Sequence, residues 1–285
     1  MAAQRILVTG ASGQLGQALV ALLGPRVAWS GGSAELDVRD AAAVSERVAR
    51  VRPDALVNAS AYNKVDGAES EASEALAVNA AGPAHLARAC RESGALLVHV
   101  SSDYVFDGAA GRAYTEDDPP RPISAYGASK LAGETLVAAS GCEHLLVRTS
   151  GVFGAGGSRA KGGSFVDRIL ARARSGQPLR VVADQVFSPT YAPDLARGIV
   201  ALLDHGARGL FHVTNAGECS WHGFAVAALR RAGIEAPVEE IRAADLGLPA
   251  RRPACSVLSN ARYAALGLPV LRGWDAALAE FLAPD

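Results

Sequence analysis

Short runs of apolar, β-forming residues alternate with longer alanine- and leucine-rich runs of helical period through the first half of this chain, and few folds accept that order. Arg5 to Val8 reads as a strand, and Gln14 to Leu23 as a helix with Leu15, Leu19, Leu22 and Leu23 on one face. Val27 to Trp29 and Ala55 to Val57 are further strands, with a helix over Ala41 to Val51 between them. A long helix runs from Glu71 to Ser93, and Gly82-Pro83 is expected to kink it. Leu96 to Val100 and Leu145 to Val147 complete the set. These strands are apolar almost throughout, as happens where helices cover both faces of a sheet. The pattern predicts an α/β chain on a Rossmann-like, doubly wound parallel sheet.

After Gly151 the texture changes. Gly154 to Gly163 holds five glycines and no periodicity, so it reads as a loop. Smaller pieces follow: a strand at Arg180 to Val182, a helix around Asp194 to Leu203 and a strand at Leu210 to Val213. Leu246 to Leu258 is rich in arginine and proline and reads as irregular. The expected division is residues 1–150 as the Rossmann unit and 151–285 as mainly a smaller C-terminal lobe, interleaved with the first.

Charge narrows the partners. With 28 basic and 29 acidic residues the net charge is -1, so no bulk field gathers nucleic acid or an anionic membrane. Cys90, Cys142, Cys219 and Cys255 form no Cys-x-x-Cys pair and fit neither a disulfide framework nor a zinc site. The six histidines are scattered without metal-ligand spacing, so no metal is expected. Met1-Ala2-Ala3-Gln4-Arg5 runs straight into Ile6-Leu7-Val8, which leaves no room for a signal peptide, and no apolar run reaches membrane length. A cytoplasmic location is expected.

Between the first strand and first helix stands Thr9-Gly10-Ala11-Ser12-Gly13-Gln14-Leu15-Gly16. Gly-x-x-Gly-x-x-Gly at that junction turns the chain tightly and lets a pyrophosphate approach the backbone, at the positive end of the helix dipole. The reading is a dinucleotide site in residues 1–150. An acid at the end of the second strand is the usual mark of NAD, where it bonds the ribose hydroxyls. Here that strand ends Trp29-Ser30-Gly31-Gly32, which removes a repulsion against a 2′-phosphate and favours NADPH, with NADH also admitted. Asp37-Val38 lies further on, within reach of the adenine or simply in a solvated loop.

Tyr126 and Lys130 are four residues apart, on one face of a helix starting near Ser124. A lone phenol has a pKa of about 10, and a nearby ammonium is expected to bring it toward the range of efficient acid-base catalysis. Only Lys64, Lys130 and Lys161 are lysines in a chain rich in arginine, which sets Lys130 apart. Ser102 follows the strand Leu96 to Val100, at the end where open α/β sheets place ligands. Its hydroxyl and that of Tyr126 would share a carbonyl oxygen.

Taken together, these segments resemble the extended short-chain dehydrogenase/reductase family, and within it the dTDP-4-dehydrorhamnose reductases. The resemblance rests on Val8 to Gly16, Asn58-Ala59-Ser60-Ala61-Tyr62 leading to Val65-Asp66, Val78-Asn79-Ala80, and His99 to Gly108. It continues through Tyr126 to Glu134, Arg148-Thr149-Ser150, Asp184-Gln185 with Ser188-Pro189-Thr190, and Arg252-Pro253 with Ser256. It implies hydride delivery from NADPH to the C4 ketone of a nucleotide-linked 6-deoxyhexose. Tyr126 would donate the proton, Lys130 would tune it and hold the nicotinamide ribose, and Ser102 would orient the ketone. Gly10, Ser12, Gly13, Gln14, Leu15 and Gly16 would hold the pyrophosphate, and Ala59, Ala61 and Asn79 would line the cofactor path. Val65, Asp103 and Tyr104 would face the sugar, the lobe from 151–285 would mainly bind the substrate, and Arg252 or the arginines Arg168, Arg172 and Arg174 would reach the substrate diphosphate.

The chain departs from that family at three places. A tryptophan usually follows Arg-Thr-Ser and walls the sugar site; Gly151 stands here, so an enlarged pocket is expected. Threonine usually stands where this chain has Ser102. Glutamates that hold magnesium between subunits in some members correspond to Ala18 and Pro193, so a monomer or weak homodimer is expected. A 4,6-dehydratase needs Asp-Glu where this chain reads Asp103-Tyr104, whereas a 4-epimerase shares the Tyr-Lys pair. The regulatory β subunit of methionine adenosyltransferase, a binding protein, is also similar and stays open as an alternative.

Overall fold

The computed structural model describes residues 4–156 and 163–283. Met1 to Ala3, and residues 157–162 of the expected glycine loop with Lys161 among them, lie outside the described residues. The first half places strands β1 (Ile6–Thr9), β2 (Val27–Gly31), β3 (Ala55–Asn58), β4 (Leu96–Ser102) and β5 (His144–Thr149) between helices. Those helices are α1 (Gln14–Leu23), α2 (Ala41–Val51), α3 (Gly67–Ser70), α4 (Ala72–Leu76), α5 (Gly82–Ser93) and α6 (Ala125–Ala139). The second half adds strands β6 (Val152–Phe153), β7 (Leu179–Val182), β8 (Val186–Phe187), β9 (Thr190–Tyr191), β10 (Gly209–His212), β11 (Cys219–Ser220) and β12 (Val238–Ile241). Its helices are α7 (Phe165–Arg174), α8 (Ala192–His205), α9 (Trp221–Arg231), α10 (Ala261–Ala265) and α11 (Trp274–Phe281).

Parallel pairing builds a sheet in the order β10-β5-β4-β3-β1-β2. Successive strand residues serve opposite faces. Ile6, Val8, Val57, Val98 and Val147 meet Leu19, Leu195 and Ile199 of α1 and α8 on one side. Leu7, Leu56, Leu97 and Leu146 meet Val44, Val48 and Leu86 of α2 and α5 on the other. The apolar runs thus have the double cover that their composition requires, and the doubly wound sheet is as expected. Chain order reverses between β1 and β3, where the loops leaving the strand ends diverge into a crevice.

Although α8 and β10 follow residue 151, they belong to this layer: β10 pairs with β5, and α8 lies on α1. α10 joins that layer as well through Tyr263, and the other second-half elements share a separate core that includes Phe153, Ile169, Phe187, Phe224 and Leu278. Strand pairs β7–β12 and β8–β11 frame it.

Two local readings shift. β2, β4 and β5 run beyond the apolar residues that announced them, because pairing such as Ser102 with Thr149 draws polar residues into the ladder. The kink expected at Gly82-Pro83 takes the form of a π turn just before it, at Ala77–Ala81. Pro83 has no N–H to give the regular helical pattern, and such wide turns often mark functional sites. Asn79 sits in that turn. Among the described residues no helix is long and apolar enough to cross a membrane.

Candidate active site

The glycine loop after β1 is drawn tightly against its surroundings. Gly10 has φ +71°, and a Cβ there would lie 2.5 Å from the Ala59 carbonyl carbon; a Cβ on Gly16 would lie 2.1 Å from the Gly10 oxygen. No side chain caps α1 at Gly13, and its first turn holds no acid, so its N-terminal N–H groups face the crevice with room for an anion. Below them, the Thr9 hydroxyl donates to Asn58 Oδ1 at 2.8 Å, and Asn58 Nδ2 meets His99 Nδ1 at 3.0 Å. These bonds hold the ends of β1, β3 and β4 together. Gln14 Nε2 donates to the Gly154 carbonyl at 2.9 Å and ties the loop to the second half.

Three residues expected on the cofactor side hold contacts within the protein. Asn79 is fully buried and does not line the cofactor path by its side chain. Its amide accepts from Tyr62 N–H, donates to the Tyr62 carbonyl and donates to Ser129 Oγ, which fixes the Ala59 to Tyr62 segment against α6. Arg39 grips the Asp37 carboxylate through Nε and Nη2, which holds its pKa low, so Asp37 stands in an ion pair on a solvated loop, one of its two expected readings. Val38 beside it is buried, its carbonyl meeting His85 Nδ1.

An acid also stands where none was expected. Glu35 folds back so that Oε2 accepts from Gly32 N–H at 2.7 Å. A Cβ on Gly32 would lie 2.7 Å from Ser12 Oγ and 3.4 Å from Glu35 Oε2. Glu35 therefore reaches the end of β2 and the glycine loop through a tight turn. An acid about 20 residues past such a loop was the available signal.

At the end of β4 the catalytic candidates converge. Ser124 caps α6, accepting from Gly127 N–H at 3.1 Å, which sets Tyr126 in its first turn and Lys130 one turn on. Lys130 is 2% exposed and its Nζ donates to the Val100 carbonyl at 2.7 Å. Burial lowers its pKa to about 8, opposed by Glu134. Glu134 itself pairs with buried Arg148 through bonds of 2.9 and 2.6 Å, locking α6 to β5. Burial pushes the Tyr126 phenol up to about 12, against the pull of the Ser102 hydroxyl. The expected lowering by Lys130 is thus not found in the protein alone, because the ammonium is tied to a backbone carbonyl while burial penalises the phenolate. Tyr126 is held protonated. Ser102 Oγ accepts from Tyr104 N–H and donates to Asp103 Oδ1 at 3.0 Å.

Beyond this triad lies a cavity of about 970 Å³ lined by Val65, Tyr104, Arg168, Arg172, Trp221 and Arg252, among others. Five of the expected sugar and diphosphate residues, Val65, Tyr104, Arg168, Arg172 and Arg252, are brought together there, and Arg174 is not among the lining residues. Arg252 Nη2 bonds Asp66 at 2.7 Å, and Nη1 donates to the Ala250 carbonyl at 3.0 Å. Tyr104 stands edge-on to Tyr126, ring centroids 5.7 Å apart, which joins the cavity to the triad. Asp103 does not face the open cavity. It is 4% exposed beneath the hydroxyls of Ser102, Ser150 and Ser256, in a small void beside Gly151 and Gln185.

The enlargement expected at Gly151 is also absent. Gly151 has φ +49°, and a Cβ there would lie 2.2 Å from Phe187 Cε2. Phe187 fills that space at 3% exposure and stacks on Trp221 at 3.9 Å. Trp221 is accordingly a wall of the cavity and not only a packing residue. Neither aromatic was legible as a site residue, because β8 and α9 meet Gly151 only through the tertiary fold.

Residues 4–285 match the family model described as "RmlD substrate binding domain". The chain is 43% identical to the dTDP-4-dehydrorhamnose reductase of Streptomyces griseus, across 97% of this chain and 92% of that protein. The chain belongs to the dTDP-4-dehydrorhamnose reductase family. It is also 38% identical to the dTDP-4-keto-6-deoxy-D-glucose reductase of Streptomyces niveus, across 97% of this chain and 96% of that protein. A crystal structure of the Bacillus anthracis dTDP-4-dehydrorhamnose reductase in complex with NADP superposes with TM-score 0.92 at 35% identity, covering 98% of each chain.

Proposed function

We propose that this chain is an NADPH-dependent reductase of the C4 ketone in dTDP-linked 6-deoxy-4-keto-hexoses, with dTDP-4-dehydro-L-rhamnose as substrate and dTDP-L-rhamnose as product. The observation that carries this reading is the meeting of Ser102, Tyr126 and Lys130 between a glycine cradle for a dinucleotide and a cavity lined with arginine. Family membership supports it.

NADPH, when bound, supplies the hydride, and NADH is also admitted. Gly10, Ser12, Gly13, Gln14, Leu15 and Gly16 hold its pyrophosphate, and Ala59 and Ala61 line its path. Lys130 reaches a ribose hydroxyl by exchanging its bond to the Val100 carbonyl. The hydroxyls of Ser102 and Tyr126 bind the ketone oxygen and stabilise the charge that develops there. Tyr126 gives that oxygen its proton. Arg168, Arg172 and Arg252 neutralise the substrate diphosphate, for which paired guanidinium donors are well shaped. Residues 1–150 carry the cofactor, and 151–285 mainly the substrate. The enzyme works in the cytoplasm as a monomer or weak homodimer.

The test is loss of NADPH absorbance with dTDP-4-dehydro-L-rhamnose, run beside Tyr126→Phe. Removing the proton donor is expected to lower turnover by about 10²–10⁴-fold while NADPH affinity holds. Turnover only with dTDP-4-keto-6-deoxy-D-glucose would move the reading toward the substrate of the Streptomyces niveus relative. A folded protein that binds NADPH and reduces neither sugar would favour the binding-subunit alternative.

A further inference from the structure

Gln185 is a buried amide at the inner end of the cavity, and the fold itself does not answer it. It is 7% exposed, and its side chain has no hydrogen-bond partner among the described residues. The backbone on either side is tied down. Asp184 Oδ1 accepts from Ala243 N–H at 2.8 Å, and Val186 N–H donates to the Ala254 carbonyl at 2.8 Å. The amide is thus placed by its neighbours and bonded to nothing. It borders both the large cavity and the small void beside Asp103 and Gly151, and Tyr104 and Trp221 border both as well. Asp103 follows Ser102 in the chain, and the Tyr104 ring stands 5.7 Å from that of Tyr126, so this end of the cavity adjoins the reacting hydroxyls. Burying an amide without a partner is costly, so a group in that state points to a ligand that completes it.

We propose that the Gln185 amide binds a ring hydroxyl of the hexose, with Trp221 as the apolar wall beside it. This rests on the ketoreductase reading and names the residues that hold the sugar as distinct from the diphosphate. The lining divides by chemistry. The guanidinium groups of Arg168, Arg172 and Arg252 suit a diphosphate. A neutral amide offers two N–H donors and a carbonyl acceptor, which match a hydroxyl that both gives and takes a hydrogen bond. Trp221 is fixed where it stands. Ser220 caps α9 by accepting from Gly223 N–H at 3.0 Å, Cys219 pairs with Phe187 across β11 and β8, and the indole stacks on the Phe187 ring at 3.9 Å. The rest of the indole borders the cavity. An apolar wall with one well-placed polar group is how a pocket holds a small ligand and fixes its orientation. The ketone carbon has to reach Ser102 and Tyr126 while the diphosphate meets the arginines, so the hexose lies in the stretch that Gln185 and Trp221 border.

Calorimetric titration of the enzyme loaded with NADP+ compares dTDP-L-rhamnose with dTDP, which lacks the sugar. Gln185→Met keeps the length of the side chain and removes its hydrogen bonds. It is expected to weaken dTDP-L-rhamnose by about tenfold and to leave dTDP unchanged. Trp221→Leu is expected to show the same selectivity, and retained dTDP binding shows that each variant is folded. Equal losses for the two ligands in Gln185→Met, or no loss for either, overturn the proposal. Tryptophan fluorescence of the native enzyme gives a readout that needs no change at Gln185. It is expected to respond to dTDP-L-rhamnose and not to dTDP, and Trp221→Phe is expected to remove that difference; the same response to both ligands also overturns the proposal. Native enzyme that binds dTDP-L-rhamnose through Gln185 but reduces no keto-sugar would count against the ketoreductase reading alone. Normal turnover with equal losses would count against the sugar subsite alone, and native enzyme that binds neither ligand would overturn both.

Discussion

Gly151→Ala adds a single methyl group, and the structure says what it meets. The left-handed backbone at φ +49° costs an L-residue about 1–2 kcal/mol. A Cβ 2.2 Å from Phe187 Cε2 must push the ring off its stack with Trp221. Overpacking of that kind costs about 1–3 kcal/mol. The sum, about 2–5 kcal/mol, corresponds to about 4–10 °C in Tm for a chain of this length. Phe187→Ala alone is expected to cost about 3–5 kcal/mol, from lost burial and the cavity left behind. The double variant is the decisive one. With the ring gone the new methyl has room, so only the backbone strain should add to the Phe187→Ala loss, leaving a favourable coupling of about 1–3 kcal/mol. Thermal unfolding of the four proteins by circular dichroism measures it. Strict additivity, or a Gly151→Ala protein as stable as the parent, would refute the claim that Phe187 occupies the space over Gly151.

Two further outcomes follow from buried or folded-back charge. Glu35→Gln is expected to tighten NADPH binding by about tenfold with little change for NADH, because the carboxylate at Gly32 opposes a 2′-phosphate; fluorescence titration of both cofactors checks it, and equal effects on the two would place Glu35 away from the ribose. Lys130 has its pKa lowered from 10.5 to about 8, so between those values the unfolded chain holds a proton that the fold rejects, and stability rises with pH across that window. The gain is about 3 kcal/mol relative to Lys130→Met, in which this rise should be missing; denaturant unfolding at pH 8 and pH 10.5 measures it.

The comparison of Tyr126 with Lys130 shows where sequence reasoning reaches its limit. Their helical spacing was legible, and so was the helix start at Ser124, because both are local. The direction in which Tyr126 is shifted was not, since it depends on how deeply β4 and the Tyr104 turn bury the phenol. Asn79 illustrates the same limit: its place in the helix was readable, but its three bonds reach Tyr62 and Ser129, far apart in the chain.

By itself, then, the sequence determined the doubly wound sheet, the glycine loop, the Ser-Tyr-Lys set and the reductase family. The sheet and the loop are written in residues that are neighbours in the chain or repeat at a helical or strand period, Tyr126 and Lys130 in one helical turn, and the family in a resemblance of motifs along the whole chain. Only the tertiary structure decided that β10 closes the edge of the first sheet and that Phe187 covers Gly151. It also placed Asp103 beneath three serines and not against the cavity. Those outcomes are set by burial and contact between distant segments, where desolvation and steric fit act on groups that spacing along the chain does not relate.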